Sequence, residues 1–330
     1  MTIDTITFFQ QYSLIFVTTG MSAGIVTTAQ LTDATPAAGY AHISERDWEA
    51  FVPDNVSPMS SPYCKDIARQ LIENEPGSSL HVILGGGRDR FLPNDTDAGN
   101  GLNGRRVDGR NLISDWLKIK AEKGLRPDSF RYVNNKQQLL DVDPNRVDYL
   151  FGLFNADHMS YDKERDDSYL GEPSLEEMTE MAILILSKNP KGFVLLVEGG
   201  NIDKAHHKGW AVNALYDTVA FDKAIAKGLE LTSFYDTLSI VTADHSHSFT
   251  INGYPLRGTS IFGIAGNDSF SKPFTTLLYG NGPGYQYPRT DPTTVDTSKF
   301  YRIYQVIYSL LFCSPSALSI PIGRFHRYRR

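Results

Sequence analysis

The fold of this chain is decided by the stretch Phe193-Val-Leu-Leu-Val-Glu-Gly-Gly-Asn-Ile-Asp-Lys-Ala-His-His207. It opens with five apolar residues, which predict a buried strand, and the Gly-Gly pair after Glu198 predicts a turn. Asp203 and His207 are four residues apart, so on a helical turn they face the same side. The stretch therefore predicts a strand followed by a helix, with metal-ligand side chains placed directly behind the strand.

A second stretch repeats this design, from Leu238 through Asp244 and His245 to His247. Taken singly, Asp203 is better explained as a helix cap, and His206 and His207 as surface residues. Both motifs follow apolar runs, however, and together they indicate a metal site. Mixed carboxylate and imidazole ligands suit Zn²⁺, and an oxygen-rich site suits Mg²⁺. Two ions a few ångströms apart are typical of enzymes that hydrolyse phosphate esters.

Strand candidates alternate with helix candidates along the chain. The strand candidates are residues 23–28, 80–84, 148–154, 193–197, 238–241 and 273–279. The helix candidates are residues 66–73, 109–118, 174–187 and 213–231. This alternation predicts an α/β fold with three layers, in which helices cover both faces of a mostly parallel sheet. In such a sheet the site lies at the carboxyl ends of the strands, where Glu198 and Asp244 are expected.

The composition limits the classes of partner. The 330 residues are 41% hydrophobic, enough for a sizeable core, and carry a net charge of −6 with a pI of about 5.8. Without a basic stripe, nucleic acid is not an expected partner. Two cysteines, Cys64 and Cys313, do not make a disulfide framework. Glycosylation sequons at Asn55, Asn94 and Asn267 hint at a secretory route.

The two ends of the chain lack clear targeting signals. Residues 1–17 have no basic region, so we expect no cleavable signal peptide. Residues 304–322 are moderately apolar and precede several arginines, a pattern that also occurs at membrane spans. Pro315 and Pro321 favour a poorly ordered tail instead.

In the stretches Phe193–His207 and Leu238–His247 the chain resembles the alkaline phosphatase family. The two motifs resemble the family's metal-binding signatures, and the resemblance runs from about Gly20 to Tyr287. The other matching segments are Gly24-Ile-Val-Thr-Thr28, Ala34-Thr-Pro36, Tyr40-Ala-His42, Gly253 to Gly263, and Tyr279-Gly-Asn-Gly-Pro-Gly-Tyr285. The expected organisation is a partial alkaline-phosphatase-like domain at residues 20–287, between non-matching segments at 1–19 and 288–330.

The resemblance implies metal-dependent hydrolysis of phosphate monoesters, with two Zn²⁺ ions and one Mg²⁺ ion. It implies these ligands: Asp203 and His207 for the first zinc, Asp244 and His245 for the second, and Glu198 and Thr35 for magnesium. Arg46 would clamp the substrate phosphate through two hydrogen bonds, as guanidinium geometry favours. Without the family match, Arg46 reads as an ordinary surface arginine. His247 is expected to support the ligands rather than bind metal.

Two departures from the family pattern are informative. Asp33 and Lys204 stand where animal members usually carry two histidines, a combination similar to bacterial members. We expect this ion pair to shift the pH optimum and phosphate release. A calcium site of animal members would fall at Phe154, Asn155 and Glu172. There Asn155 replaces a glutamate, so calcium binding is expected to be weaker and is left open.

Three parts of the family's site have no counterpart in the sequence. These are the nucleophilic serine of a Thr-x-Asp-Ser-Ala segment, an upstream bridging aspartate and a closing histidine in Thr-His-Gly-Gly. Catalysis in the family is covalent, so the activity of this chain is expected to be impaired. The strand that carries the bridging aspartate is also missing, so its neighbouring strands are expected to keep an unpaired edge. The alternative is a catalytically inactive metal-binding or structural remnant. A phosphodiesterase or sulfatase-like enzyme is disfavoured.

The resemblance also implies a setting for the protein. Family members form homodimers and are extracellular or at the cell surface. They are often held at the membrane only through a lipid anchor, and no anchor is visible in this sequence.

Overall fold

The computed structural model describes residues 18–53, 64–280 and, as backbone, 308–313. Seven strands form one sheet in the order β5-β6-β2-β1-β7-β13-β8. These strands are β1 (Ser22–Gln30), β2 (Val82–Gly86), β5 (Phe130–Val133), β6 (Tyr149–Leu153), β7 (Phe193–Glu198), β8 (Thr237–Thr242) and β13 (Tyr308–Cys313). All pairs from β5 to β7 are parallel, and β13 runs antiparallel to both β7 and β8.

Short antiparallel strands lie outside this sheet and pair as β3 with β4, β9 with β12, and β10 with β11. They are β3 (Asp97–Gly99), β4 (Leu102–Asn103), β9 (Phe249–Ile251), β10 (Ile264–Asn267), β11 (Pro273–Thr275) and β12 (Leu277–Tyr279). The α-helices are α1 (Ala34–Ala38), α2 (Ile67–Glu73), α3 (Leu112–Glu122), α4 (Lys136–Leu140), α5 (Leu175–Leu186), α6 (Gly200–Lys208) and α7 (Ala211–Leu231).

Two hydrophobic clusters cover the two faces of the sheet and make the structure three-layered. One cluster contains Val26 and Val197 and joins the sheet to α5 and α7. The other contains Ile25 and Leu196, the sequence neighbours of those residues, and joins the sheet to α1, α2 and α3. Neighbouring residues point to opposite faces of a strand, so the apolar runs of β1 and β7 reflect burial on both sides. The α/β fold predicted from the sequence is confirmed.

Local signals explain where the helices begin. Ser174 precedes α5, and its hydroxyl accepts a hydrogen bond from the Glu177 backbone N–H, while the Glu177 carboxylate accepts from the Ser174 N–H. This reciprocal capping box satisfies N–H groups that have no partner within the helix. Asp66 caps α2 in the same way, by accepting from the Arg69 backbone N–H.

Strand register brings the expected site to one edge of the sheet. Thr27 of β1 lies directly opposite Glu198 of β7, and both strands end within a few residues of this pair. Helix α6 begins at Gly200, where an added Cβ would lie 2.8 Å from the Ala29 side chain. Only glycine therefore allows α6 to start so close to β1.

Two predictions about secondary structure were wrong. Residues 273–279 do not form one strand, because the chain changes partner at Thr276: β11 pairs with β10, and β12 pairs with β9. The tail was expected to be poorly ordered, yet residues 308–313 form β13 between β7 and β8. The expected unpaired edge of β7 is therefore filled by backbone from the tail. The rest of that tail lies outside the described residues.

Within the residues that the structure describes, no helix combines the length and apolar character needed to cross a membrane.

Candidate metal and phosphate site

Helix α6 carries the first pair of predicted zinc ligands. Its first turn is held to β1 because the Asn201 backbone N–H donates to the Thr28 hydroxyl over 3.0 Å. Asp203 and His207 lie one turn apart, with His207 Nε2 3.4 Å from Asp203 Oδ2. The helix ends at Lys208 and is followed by Gly209, which has a φ of 74°. The spacing that predicted a shared helical face thus places both side chains together.

The second pair meets the first through a cluster of histidines. His247 Nε2 lies 2.6 Å from Asp203 Oδ1, and the His247 side chain is only 2% exposed. Because an ionised carboxylate only accepts hydrogen bonds, His247 is the donor. His245 Nε2 lies 3.4 Å from Asp244 Oδ2. Nitrogen or oxygen atoms of Asp203, His245 and His247 all lie within 4.8 Å of one another.

Glu198 forms a separate, fully enclosed part of the site. Its carboxylate accepts a hydrogen bond from the Thr27 hydroxyl over 2.6 Å and another from the Thr35 hydroxyl. Burial raises the pKa of Glu198 to about 7, although the Thr27 hydrogen bond opposes this rise. Burial likewise raises the pKa of Asp203. In both cases the loss of water around the carboxylate outweighs the hydrogen bonds and positive charges that favour its ionised form.

Asp33 joins two cations from different parts of the chain. Its carboxylate contacts Lys204 Nζ at 2.6 Å and Arg46 Nη2 at 3.2 Å, and it caps α1 by accepting from the Ala34 N–H. The pKa of Asp33 lies below its ordinary value. Burial alone would raise this pKa, but the charge and the hydrogen bond of Lys204 outweigh the effect of burial. The Arg46 side chain is largely exposed. The predicted phosphate clamp therefore sits beside α6.

Two residues that support this site were missed by the sequence reasoning. Thr27 was placed in a strand, but its hydrogen bond to Glu198 depends on the register of β1 against β7. The only sequence signal for it is a threonine at the end of an apolar run. His206 lies inside α6, where its Nδ1 is 3.1 Å from the Tyr279 hydroxyl of β12. This contact joins two segments that are far apart in sequence.

The donor sets fit divalent ions of two kinds. Carboxylate and imidazole groups converge around Asp203, which is the chemistry of a zinc site. Around Glu198 the nearby donors are carboxylate and hydroxyl oxygens, which suit magnesium. In both places a buried carboxylate has a raised pKa that a cation would lower again.

Comparison with known proteins agrees with this geometry. The model of the alkaline phosphatase family matches residues 16–305. The chain belongs to the alkaline phosphatase family. It is 50% identical to the tissue-nonspecific isozyme of alkaline phosphatase from Rattus norvegicus over 276 residues, which are 81% of this chain and 51% of that protein. It is 42% identical to a membrane-bound alkaline phosphatase of Bombyx mori, over 80% of this chain and 48% of that protein.

A solved structure of this family has the same fold. The alkaline phosphatase of Thermus thermophilus superposes with a TM-score of 0.55 at 26% identity, covering 74% of this chain and 43% of that one. The chain spans about half the length of the curated relatives that it matches. The alkaline phosphatase family is metal-dependent, in agreement with the donor sets around Asp203 and Glu198.

Proposed function

We propose that this chain belongs to an enzyme that hydrolyses phosphate monoesters with the help of bound metal ions. The observation that carries the proposal is the meeting of α6 with the loop after β8. There Asp203 and His207 lie beside His245 and His247, and Lys204 on the same helix contacts Asp33, which also contacts Arg46. Carboxylate and imidazole ligands next to exposed cations suit a negatively charged phosphate ester.

We propose the following ligands for the metal ions. Two Zn²⁺ ions would be held by Asp203 with His207, and by Asp244 with His245; one Mg²⁺ ion would be held by Glu198 with Thr35. The metal ions would supply positive charge for the phosphate oxygens and for an attacking oxygen. Residues of the chain would position the substrate and the metal ligands. Arg46 would bind phosphate oxygens, and His247 would orient Asp203 through its hydrogen bond.

Substrate, assembly and location follow from the family only as proposals. The substrates would be phosphate monoesters, and the complete enzyme a homodimer outside the cell or at its surface. Attachment to a membrane would be through a lipid anchor. Exposed Asn94 and Asn267 fit glycosylation in that setting, and Asn55 lies outside the described residues. Residues 20–287 are retained as the proposed extent of the α/β domain.

The proposal is tested by measuring zinc content and hydrolysis on matched variants. We expect the chain to bind zinc, and Asp203→Asn to lose it, whereas Asp222→Asn on the exposed face of α7 should not. Hydrolysis of p-nitrophenyl phosphate should be absent from these 330 residues, which lack the Asp-Ser-Ala nucleophile segment. It should appear, with zinc dependence, in an extended chain that also carries the Asp-Ser-Ala and Thr-His-Gly-Gly segments.

Each outcome separates the proposal from the inactive remnant. Zinc binding without hydrolysis in the extended chain would favour the remnant. Zinc-dependent turnover by the 330 residues themselves would show that the expected covalent route is wrong. Equal zinc content in Asp203→Asn and the parent chain would reject the assignment of the zinc ligands.

A further inference from the structure

A hydrogen-bonded junction with a buried centre follows the end of β6. It consists of Asn100, Asn155, Ser160 and Glu172, and we call it the Asn155 junction. The Asn155 Nδ2 group donates to Glu172 Oε1 over 2.6 Å, and both side chains are buried. The junction ties the end of β6 to the β3–β4 hairpin and to the segment before α5.

The Glu172 carboxylate accepts three hydrogen bonds, all from neutral donors. Besides Asn155, the Ser160 hydroxyl donates to Oε1 over 2.9 Å, and the Ser160 backbone N–H donates to Oε2 over 2.8 Å. Arg165 is a nearby cation, but its Nη1 donates to the backbone carbonyl of Glu172. The negative charge is therefore balanced by hydrogen bonds from an amide, a hydroxyl and a backbone N–H.

The orientation of the Asn155 amide follows from its neighbours. Its Oδ1 accepts from the Asp157 backbone N–H over 3.2 Å and from Asn100 Nδ2 over 3.0 Å. A backbone N–H only donates and a carboxylate only accepts, so the NH₂ group must face Glu172. A group that presents hydrogen atoms to the carboxylate cannot coordinate a cation.

This position is where the family resemblance would place a calcium ion, and the residues present do not fit one. Calcium takes six to eight oxygen ligands, usually with several carboxylates among them. Here Glu172 is the only carboxylate of the four residues, and two of the others are amides. We propose that the NH₂ group of Asn155 takes the place of the cation and makes this junction independent of calcium. The inference does not depend on the proposed hydrolysis.

The proposal predicts that replacing the Asn155 Nδ2 atom by an oxygen makes the junction depend on a cation. Asn155→Asp keeps the shape of the side chain and the acceptor for Asp157 and Asn100. It replaces the donor with a second carboxylate oxygen about 2.6 Å from Glu172, where like charges repel unless a cation or proton lies between them. The variant should then require a cation that the parent chain does not.

Thermal unfolding with zinc and magnesium held constant tests this, because it does not use hydrolysis as a readout. The parent chain and the control Asn145→Asp, which adds a carboxylate at an exposed turn, should keep the same Tm with and without Ca²⁺. Asn155→Asp should melt lower without Ca²⁺ and gain about 5 °C at saturating Ca²⁺.

Two results would overturn the proposal. One is a Ca²⁺-dependent rise in the Tm of the parent chain that Glu172→Gln removes, because calcium would then bind at the junction already. The other is an Asn155→Asp chain that responds to Ca²⁺ no more than Asn145→Asp does. If Asn155→Asp fails to fold, equilibrium dialysis of the parent chain against Ca²⁺ still decides: calcium binding that Glu172→Gln removes contradicts the proposal, and its absence supports it.

Discussion

Strands β7 and β8 both lead into predicted metal ligands, but they do so from different surroundings. Every residue of β7 is buried, and Glu198 at its end is only 5% exposed. Of the six residues of β8, only Thr237 is buried, and the His245 side chain just beyond it is 48% exposed. The same motif, an apolar run followed by ligands, is therefore enclosed at one strand and open at the other.

The difference shows that two mechanisms hold the ligands in place. Glu198 is positioned by strand register and by hydroxyl donors on β1 and α1. The ligands after β8 are positioned by side-chain contacts with α6, above all the hydrogen bond from His247 to Asp203. Core packing should therefore control stability on the β7 side, whereas hydrogen bonds should control metal affinity on the β8 side.

The largest contrast is expected from the same substitution on two strands of one sheet. Leu150 of β6 is 0% exposed and Leu238 of β8 is 59% exposed. Leu150→Ala should lower the free energy of unfolding by about 2–5 kcal/mol, because it leaves a cavity in the core. Leu238→Ala should cost less than about 1 kcal/mol. Urea unfolding of both variants measures this, and equal costs would show that β8 is packed as tightly as β6.

The second prediction concerns acid stability and rests on His81, next to β2. Burial and the charge of Lys120 lower the pKa of His81 to about 4, and its ring stacks on Tyr149. An unfolded histidine titrates near 6.5, so between pH 6.5 and 4 the unfolded chain binds more protons. The free energy of unfolding should therefore fall as pH drops through this window, by about 3 kcal/mol from His81, and level off below pH 4.

His81→Asn should remove this part of the acid dependence, since its amide oxygen can still accept from the Ala23 N–H that now contacts His81 Nδ1. The exposed His42, changed to Asn, is the matched control and should leave the dependence intact. Unfolding free energies measured at pH 6.5 and 4 give the comparison. Identical slopes for both variants would contradict a neutral, buried His81.

The smallest expected effect concerns the loop after β8. His247→Ala removes the hydrogen bond that orients Asp203, so zinc affinity should fall by about 10–100-fold. Ser246→Ala changes the neighbouring exposed residue and should leave zinc affinity unchanged. Competitive titration with a zinc chelator measures both. A loss of all zinc binding in His247→Ala would instead make His247 a direct ligand.

Much of this architecture is predictable from local sequence. The apolar runs that became β1, β2, β6 and β7 indicated strands because these strands are buried on both faces of the sheet. The run that became β8 indicated a strand through its apolar residues, although most of this strand is exposed. The shared helical face of Asp203 and His207 also follows from their spacing of one turn. The approach of His245 and His247 to Asp203 depends on contacts between α6 and the loop after β8.

Other features depend on contacts that no local pattern contains. The split of residues 273–279 reflects two different partner strands, and β13 takes its place through pairing with strands more than 65 residues earlier. Thr27 became part of the site through register alone. The donor–acceptor match between Asn155 and Glu172 was likewise invisible, since sequence shows the exchange of residue types but not which atom faces the carboxylate.

The position of Asp33 has a consequence for how tightly product would be held. Its carboxylate already contacts two cations, Lys204 at 2.6 Å and Arg46, the proposed phosphate ligand, at 3.2 Å. An incoming phosphate would compete with this resident anion for both cations, and a departing phosphate would be replaced by it. In a complete enzyme we therefore expect Asp33 to act as an internal substitute for product. It would weaken the binding of free phosphate, and it would keep Lys204 and Arg46 from repelling each other once phosphate has left.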